Sequence, residues 1–192
     1  KGCTILFAAG NGNEDVKNDG YCSYPGVISV AACNDTGKRS VYSDYGDAVW
    51  VSFPSGDYAW KPFQHPAPIS EGLRTTDRVK KDGYTPEDYI NNFGGTSGAC
   101  PGVAGTVALM LAANPNLSPV EVKDLLRRSC RRIDEAEGEY DAKGHSIWYG
   151  FGRVDAALAV ENAIKAADKA AAGPTVDGIV KFVTAGEQKL KS

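Results

Sequence analysis

The sequence predicts an α/β protein whose sheet is mostly parallel. Two apolar runs, residues 3–9 and 27–33, have the uninterrupted hydrophobic character of strands that are buried on both faces. Segments of helical character follow them, and strands that alternate with helices favour a layered α/β fold. In such a fold, functional sites gather where parallel strands reach their carboxyl ends. Asn11 lies just past the first run and therefore belongs to a predicted site region.

The remaining strands are less regular. Residues 41–53 predict a strand pair that is interrupted at residues 44–47. Between residues 54 and 93 the composition changes to proline, aromatic and charged residues with little periodicity. We expect a long surface excursion there, with at most short strands, one of them near residues 73–76. Loops of this length usually serve a functional site.

Three segments have helical character. Residues 97–113 are almost wholly small or apolar, which predicts a helix buried on every side. A second helix is expected from a capping box that begins at Ser118, and a third from an alanine-rich stretch, residues 154–172. A glycine and a proline follow that stretch. We therefore divide the chain into one domain, residues 1–172, and a carboxy-terminal extension, residues 173–192.

The overall composition suits one globular domain and favours neither a nucleic-acid nor a membrane partner. The chain has 192 residues, of which 42% are hydrophobic and 23% charged, and its formal net charge is −3. No apolar run approaches about 18 residues, so we expect no membrane span. The one basic cluster falls at a predicted helix end, where cations complement the helix dipole, and consists of Arg127, Arg128, Arg131 and Arg132.

The five cysteines predict free thiols rather than a disulfide framework. The number is odd, and Cys3, Cys33, Cys100 and Cys130 stand among apolar neighbours. Pairing of Cys22 with Cys33 stays open. Free thiols lean weakly towards an intracellular location, although the compartment itself is unknown. The abrupt start inside a predicted strand suggests that the chain is a fragment or a cleavage product.

The most informative stretch is residues 93–105, which read FGGTSGACPGVAG. A serine in the first turn of a buried helix has its Oγ at the rim of the fold. Its own backbone N–H, which has no partner inside the helix, points towards whatever the Oγ attacks. Flanking glycines let a substrate backbone approach closely. These residues alone leave two interpretations open for Ser97: a catalytic nucleophile, or an ordinary helix N-cap.

Residues 95–105 resemble the nucleophile motif of the subtilase family, Gly-Thr-Ser-x-Ala-x-Pro-x-Val-Ala-Gly, at every fixed position. Residues 7–11, FAAGN, resemble the family segment whose asparagine amide donates to the oxyanion. The resemblance covers residues 2–166 and implies the three-layer subtilisin-like fold, with this chain as its carboxy-terminal half. Further similar stretches are the family's next strand, its Ser-Asn-Tyr-Gly turn and its closing helix, at residues 24–32, 43–46 and 149–156.

The resemblance implies a serine endopeptidase. Ser97 would be the nucleophile, and the Ser97 N–H and the Asn11 side-chain amide would donate to the oxyanion. In the family an aspartate and a histidine precede the asparagine along the chain. Neither His65 nor His145 lies in the family's histidine motif. Activity on polypeptide substrates would therefore need an amino-terminal half that supplies both residues. The implied substrate-binding residues are Gly10, Asp19, Tyr24, Pro25 and Thr96.

A finer resemblance points to the kexin and furin-like branch. Asp19-Gly20-Tyr21 is similar to an Asp-Gly-Tyr whose aspartate faces a basic substrate side chain, and residues 74–77, RTTD, resemble a strand of that branch. This similarity implies cleavage after Arg or Lys, because a carboxylate can bind arginine bidentately. It also implies that Glu14 or Asp15, with Asp44, holds calcium, a hard cation that needs clustered oxygens. The alternative for these carboxylates is an ordinary solvated acidic loop.

Two other functions are considered. An α/β-hydrolase esterase would use Asp134 or Asp141 with His145, because its acid and histidine follow the serine. The segment lacks the final glycine of a nucleophile elbow, however, and this function gives Asn11 no role. A non-catalytic binding module would keep the scaffold without the chemistry. The presence of both Ser97 and Asn11 argues against that module.

Overall fold

The computed structural model describes residues 2–57 and 72–168. Within these ranges, a five-stranded sheet has the order β1-β2-β3-β7-β6. Its neighbouring strands run parallel, except β6 and β7, which are antiparallel. The predicted α/β class with a mostly parallel sheet is confirmed. The strand bounds are β1 Leu6–Ala8, β2 Ile28–Cys33, β3 Val49–Pro54, β6 Cys130–Arg131 and β7 Arg153–Val154.

A separate hairpin precedes the helix that carries the predicted nucleophile. Its strands, β4 (Leu73–Thr76) and β5 (Tyr89–Phe93), pair antiparallel, and a short 3-10 helix, Lys80–Asp82, lies between them. β4 lies where a short strand was predicted. Another part of the predicted excursion, residues 58–71, lies outside the described residues.

The described residues form three α-helices that pack together on one face of the sheet. They are α1 Thr96–Ala113, α2 Pro119–Arg128 and α3 Ala156–Asp168. α1 contacts β1, β2, β3 and α3, and α2 contacts β3 and α3. The end predicted for α3 and the extension, residues 173–192, lie outside the described residues. The apolar surface removed from water here is the main stabilising contribution, and its core includes Ile28, Val51, Val103, Met110 and Leu126.

The opposite face of the sheet is covered by the loop that follows β1. A second apolar cluster joins Ala31 and Val49 of the sheet with Val16 and Cys22 of this loop. Val16 also begins a short 3-10 helix, Val16–Asn18. The loop that carries most of the predicted site residues is therefore anchored to the sheet by buried side chains.

The start of α2 is the predicted capping box. The Ser118 hydroxyl accepts from the Glu121 N–H (3.3 Å), and the Glu121 carboxylate accepts from the Ser118 N–H (2.8 Å). These bonds satisfy N–H groups that have no partner inside the helix. Arg127 and Arg128 lie in the last turn, as predicted, and both pair with Asp124.

Residues 41–46 form turns instead of the first strand of a pair, so the predicted pair is wrong. Polar side chains of this stretch bond to the backbone of other segments. The Ser43 hydroxyl accepts from the Ala32 N–H (3.0 Å), and the Asp44 carboxylate accepts from N–H groups of the loop after β1. These side-chain bonds take the place of a strand ladder.

α1 is not buried on every side, contrary to the prediction. Its exposed residues recur at spacings of three and four, so they form one row along the helix. By length and composition, α1 is also apolar enough to cross a membrane, with 18 residues and a mean hydropathy of 1.4. The expectation that no run approaches that length is therefore wrong, although α1 packs as a core helix. The exposed row of α1 consists of Ser97, Pro101, Gly105, Ala108 and Ala112.

The five cysteines all lie in the described ranges and are free thiols, as predicted. Cys22 and Cys33 are both buried but do not pair. Cys100 and Cys130 are partly buried, whereas Cys3 is exposed and departs from the expected burial.

Candidate active site

The predicted site lies where β1 ends and α1 begins. β1 runs parallel to β2 and ends at Ala8, so Gly10 and Asn11 lie beyond its carboxyl end. α1 begins at Thr96 and packs against β1. Asn11 and Thr96, 85 residues apart in the sequence, are hydrogen-bonded to each other. The packing of α1 on the sheet therefore joins the two motifs.

The Asn11 side chain is held by its oxygen. Oδ1 accepts hydrogen bonds from the Thr96 N–H (2.8 Å) and from the Thr96 hydroxyl (2.9 Å). Because a backbone N–H can only donate, the amide atom that faces it must be the oxygen. The Nδ2 group of Asn11 therefore remains a donor for another acceptor.

Ser97 is the second residue of α1, and its side chain is exposed. N–H groups of the first helical turn have no acceptor inside the helix, and the Ser97 N–H is one of them. The preceding Gly95 is the N-cap, with φ 78° and ψ 170°, a conformation that glycine adopts without steric cost. An exposed hydroxyl and an N–H donor thus lie one residue from the bond between Thr96 and Asn11.

A cleft of about 500 Å³ adjoins Asn11. Its lining includes four carboxylates and neither lysine nor arginine, so the cleft favours a cationic group. Residues predicted for catalysis, substrate binding and calcium line it together. They are Gly10, Asn11, Glu14, Asp15, Asp19 and Asp44.

Asp19 shapes the turn at one side of the cleft. Its Oδ1 accepts from the N–H groups of Tyr21 (2.7 Å) and Cys22 (3.2 Å). The Tyr21 ring stacks on Phe7 of β1, with 5.4 Å between ring centroids. Since one oxygen is sufficient for the turn, the second oxygen can serve a ligand in the cleft.

Asp44 is the buried carboxylate of the cleft, with 6% of its surface exposed. Its Oδ1 accepts from the N–H groups of Gly12 (2.7 Å) and Glu14 (3.1 Å). Burial raises the pKa of this carboxyl group, although the backbone N–H bonds oppose the shift. Asp44 therefore connects the turn at residues 43–46 with the loop after β1.

The predicted calcium ligands share the cleft but not a ready coordination shell. Asp15 pairs with Lys17 (2.7 Å), and that ammonium group lowers the pKa of the Asp15 carboxyl. The Glu14 carboxylate accepts from the Asn18 amide (2.9 Å). Within residues 2–57 and 72–168, no three acidic, histidine or cysteine side chains form a group that could hold a metal ion.

The structure differs from the prediction for three of the substrate-binding residues. Thr96 is fully buried, and its hydroxyl accepts from the Gly10 N–H (3.2 Å) besides donating to Asn11. It therefore positions neighbours and is not available to a substrate. Tyr24 and Pro25 are exposed but do not line the cleft, and the Pro25 carbonyl accepts from the Lys123 ammonium (2.8 Å).

Sequence reasoning missed the buried side chains that support the site. The Tyr42 hydroxyl and the Ser55 hydroxyl bond to the backbone of Gly95. Arg39 is largely buried, and its guanidinium donates to Asn13 Oδ1 (2.9 Å) and to the Ser43 carbonyl. No local pattern singles out these residues, because each contact joins segments that are distant in the sequence or lies in an irregular turn.

His145 and the two aspartates proposed with it form no esterase site. The His145 ring bonds to the Val49 carbonyl (2.7 Å) at the amino end of β3, whereas Ser97 lies at the carboxyl end of the sheet. Asp141 accepts from the backbone N–H of His145, and Asp134 accepts from Tyr149. His65, the other histidine, lies outside the described residues.

Residues 1–163 match the family model described as the Subtilase family of peptidases. The chain belongs to the subtilase family. Subtilases are serine proteases, so the resemblance stated from the motifs is confirmed and the esterase alternative is excluded.

Similar subtilases include a protein named calcium-dependent protease from Trichormus variabilis, 54% identical over 175 residues and covering 86% of this chain. Kexin of Candida albicans is 33% identical over 164 residues, covering 81% of this chain. The chain spans a quarter of the length of the first relative and 16% of the second. The solved structure of a serine protease of Aeromonas sobria is 26% identical, with a TM-score of 0.70. It covers 91% of this chain and 38% of that one.

Proposed function

We propose that this chain forms the carboxy-terminal half of a subtilase catalytic domain and cleaves peptide bonds. Ser97 Oγ attacks the carbonyl carbon, and the Ser97 N–H with Asn11 Nδ2 stabilises the oxyanion that forms. One observation carries this proposal: Asn11 Oδ1 is bonded to Thr96, next to Ser97, which commits Nδ2 to donation. Ground-state carbonyls gain less from these donors than the charged intermediate does.

The aspartate and histidine that activate Ser97 come, on this proposal, from an amino-terminal polypeptide of the same protease. A serine hydroxyl without a base is a poor nucleophile. Two surfaces suit such a partner. The exposed row of α1 is apolar and small, and β1 is an edge strand of the described sheet whose neighbour Ile5 is 49% exposed. A further strand beside β1 would cover both.

The same site prefers arginine or lysine before the cleaved bond. Asp19 lines an acidic cleft next to Asn11, and a second oxygen of its carboxylate is left over by the turn it caps. Asp19→Asn should lower kcat/KM for arginine peptides relative to leucine peptides. Asp35→Asn, at an exposed position outside the cleft lining, is the control. Equal selectivity in wild type and Asp19→Asn would contradict the assignment.

Calcium is the proposed cofactor, because a relative 54% identical to this chain is named a calcium-dependent protease. Asp44 and Glu14 fit part of an oxygen shell, since both line the acidic cleft. Calcium takes 6–8 oxygens, so further ligands must come from outside the described residues. When bound, the ion supplies positive charge that offsets the crowded carboxylates. The chain's own part is to hold Asp44 through the N–H groups of Gly12 and Glu14.

A fluorophosphonate probe tests the central proposal. We expect it to label Ser97 when the chain is co-expressed with the amino-terminal polypeptide and not when the chain is alone. Ser97→Ala should abolish the label. Thr106→Ala, which removes a hydroxyl further along α1, should not. If neither preparation is labelled, the chain is a non-catalytic module. Labelling of the isolated chain would contradict the need for a partner.

A further inference from the structure

We propose that Tyr42 is a positioning residue for Ser97, acting with Ser55 through the backbone of Gly95. The inference rests on the proposed function, because it concerns the geometry of the nucleophile and its N–H donor. Neither side chain touches a substrate on this proposal. Both are buried, with 0% of Tyr42 and 5% of Ser55 exposed.

The contacts form a clamp around Gly95, here called the Gly95 clamp: Tyr42, Ser55 and Gly56. The Tyr42 hydroxyl accepts from the Gly95 N–H (3.0 Å) and donates to the Gly56 carbonyl. The Ser55 hydroxyl donates to the Gly95 carbonyl (2.8 Å). Both backbone polar groups of Gly95 are therefore held by side chains from the segments on either side of β3.

Gly95 is where such a clamp has most influence on the site. It is the N-cap of α1, it lies two residues before Ser97, and no side chain caps the helix from that position. Glycine has many accessible conformations, so its φ of 78° needs outside contacts to remain fixed. The direction of the Ser97 N–H follows from the Gly95 and Thr96 backbone. A rotation at Gly95 would turn that donor away from the oxyanion.

The two hydroxyl groups are not equivalent. The Gly95 carbonyl also accepts from the Gly98 N–H (2.9 Å), so loss of the Ser55 hydroxyl leaves it with a partner. The Gly95 N–H is buried, and loss of the Tyr42 hydroxyl removes its acceptor while also removing the donor to Gly56. Tyr42→Phe should therefore have a larger effect than Ser55→Ala.

A matched control exists in the same chain. The Tyr140 hydroxyl also bridges a backbone N–H and a carbonyl, both of Ile133, at 3.3 and 3.2 Å. Tyr140→Phe therefore removes the same kind of contact away from α1. If the hydroxyl of Tyr42 is only a general stabiliser, the two variants should behave alike.

The first measurement needs no catalysis. Residue-resolved hydrogen exchange on this chain should show the Gly95 amide exchanging roughly tenfold faster, or more, in Tyr42→Phe, with no such change in Tyr140→Phe. Unchanged exchange at Gly95 would overturn the clamp, whatever the activity of the protease.

The second measurement uses the protease assembled with its amino-terminal polypeptide, at a temperature where every variant is folded. We expect kcat of Tyr42→Phe to fall about tenfold with KM nearly unchanged, and a peptide boronate to bind about tenfold more weakly. Ser55→Ala should lie between Tyr42→Phe and wild type. Equal kcat in Tyr42→Phe and Tyr140→Phe would overturn the positioning role while Ser97 chemistry stands. If instead the wild-type assembly is inactive but the Gly95 exchange behaves as expected, the proposed function fails and the clamp remains.

Discussion

Gly10 adopts a backbone conformation that other residues rarely reach, and it directly precedes Asn11. Its φ is 115°, and a side chain at this position would collide with the Asp44 carboxylate. The collision partner is buried and fixed by two N–H bonds, so it cannot move away at low cost. Glycine is therefore required here by steric contact as well as by torsion.

Gly10→Ala should lower the free energy of unfolding by about 1–3 kcal/mol, because it adds torsional strain and a clash. Urea denaturation of this chain measures the change. Gly20→Ala is the control, since nothing lies within 4 Å of a Cβ there. Equal midpoints for the two variants would show that the loop adapts.

Asn11→Asp separates the two jobs of the Asn11 side chain. The carboxylate can still accept from Thr96, so the fold should persist, but the Nδ2 donor is lost. For such a donor in subtilisin, itself a member of this family, the measured loss is about a hundred- to thousandfold in kcat. We expect a loss of that order in the assembled protease. Asn18→Asp, which puts the same charge in the cleft, controls for electrostatics and should retain most activity.

At the scale of elements, α1 has one face that its own chain leaves uncovered. A helix with small residues along one side lets another backbone approach closely. Gly105 lies in the middle of the exposed row of α1, and a Cβ built there meets nothing within 4 Å. A larger side chain is therefore tolerated by this chain but not by an element packed on it.

Gly105→Leu should leave the isolated chain folded, and more stable by up to about 1 kcal/mol, because glycine is a poor helix residue. The same variant should weaken association with the amino-terminal polypeptide, as measured by co-purification. Gly20→Leu serves as the control. Undiminished association of Gly105→Leu would place the partner elsewhere.

Local patterns predicted the elements whose causes are local. The capping box at Ser118 and the apolar strand β2 follow from neighbouring residues. The turns at residues 41–46 could not be predicted in this way, because their bonds reach other segments. The pairing of Asn11 with Thr96 came only from the family resemblance, since packing joins them across 85 residues. The burial of Thr96 likewise depends on that packing.

At the scale of the whole molecule, buried thiols make stability depend on alkaline pH. Burial raises the pKa of Cys22 to about 11 and the pKa values of Cys33 and Cys130 to about 12. The model value for a thiol is 9.0. Unfolded thiols therefore lose their protons first, and the stability present below pH 9 is lost as pH rises towards 11 or 12.

Each such thiol should lower the free energy of unfolding by about 1.4 kcal/mol per pH unit in that window. Urea denaturation between pH 8 and 10.5 should show a shallower decline for Cys33→Ala than for wild type. Cys3→Ala, at an exposed position, is the control. Parallel declines for all three proteins would contradict the raised pKa of Cys33.

The hydrogen bonds around Asn11 also bear on how the protein ages. An Asn-Gly pair is prone to deamidation, in which the glycine nitrogen loses its proton and attacks the asparagine side-chain carbonyl to close a succinimide ring. Here the Gly12 nitrogen donates to Asp44 (2.7 Å), a carboxylate that disfavours its deprotonation, while Asn11 Oδ1 is fixed by Thr96. The bonds that orient the amide should thus also protect it during long storage, and unfolded chains should lose it first.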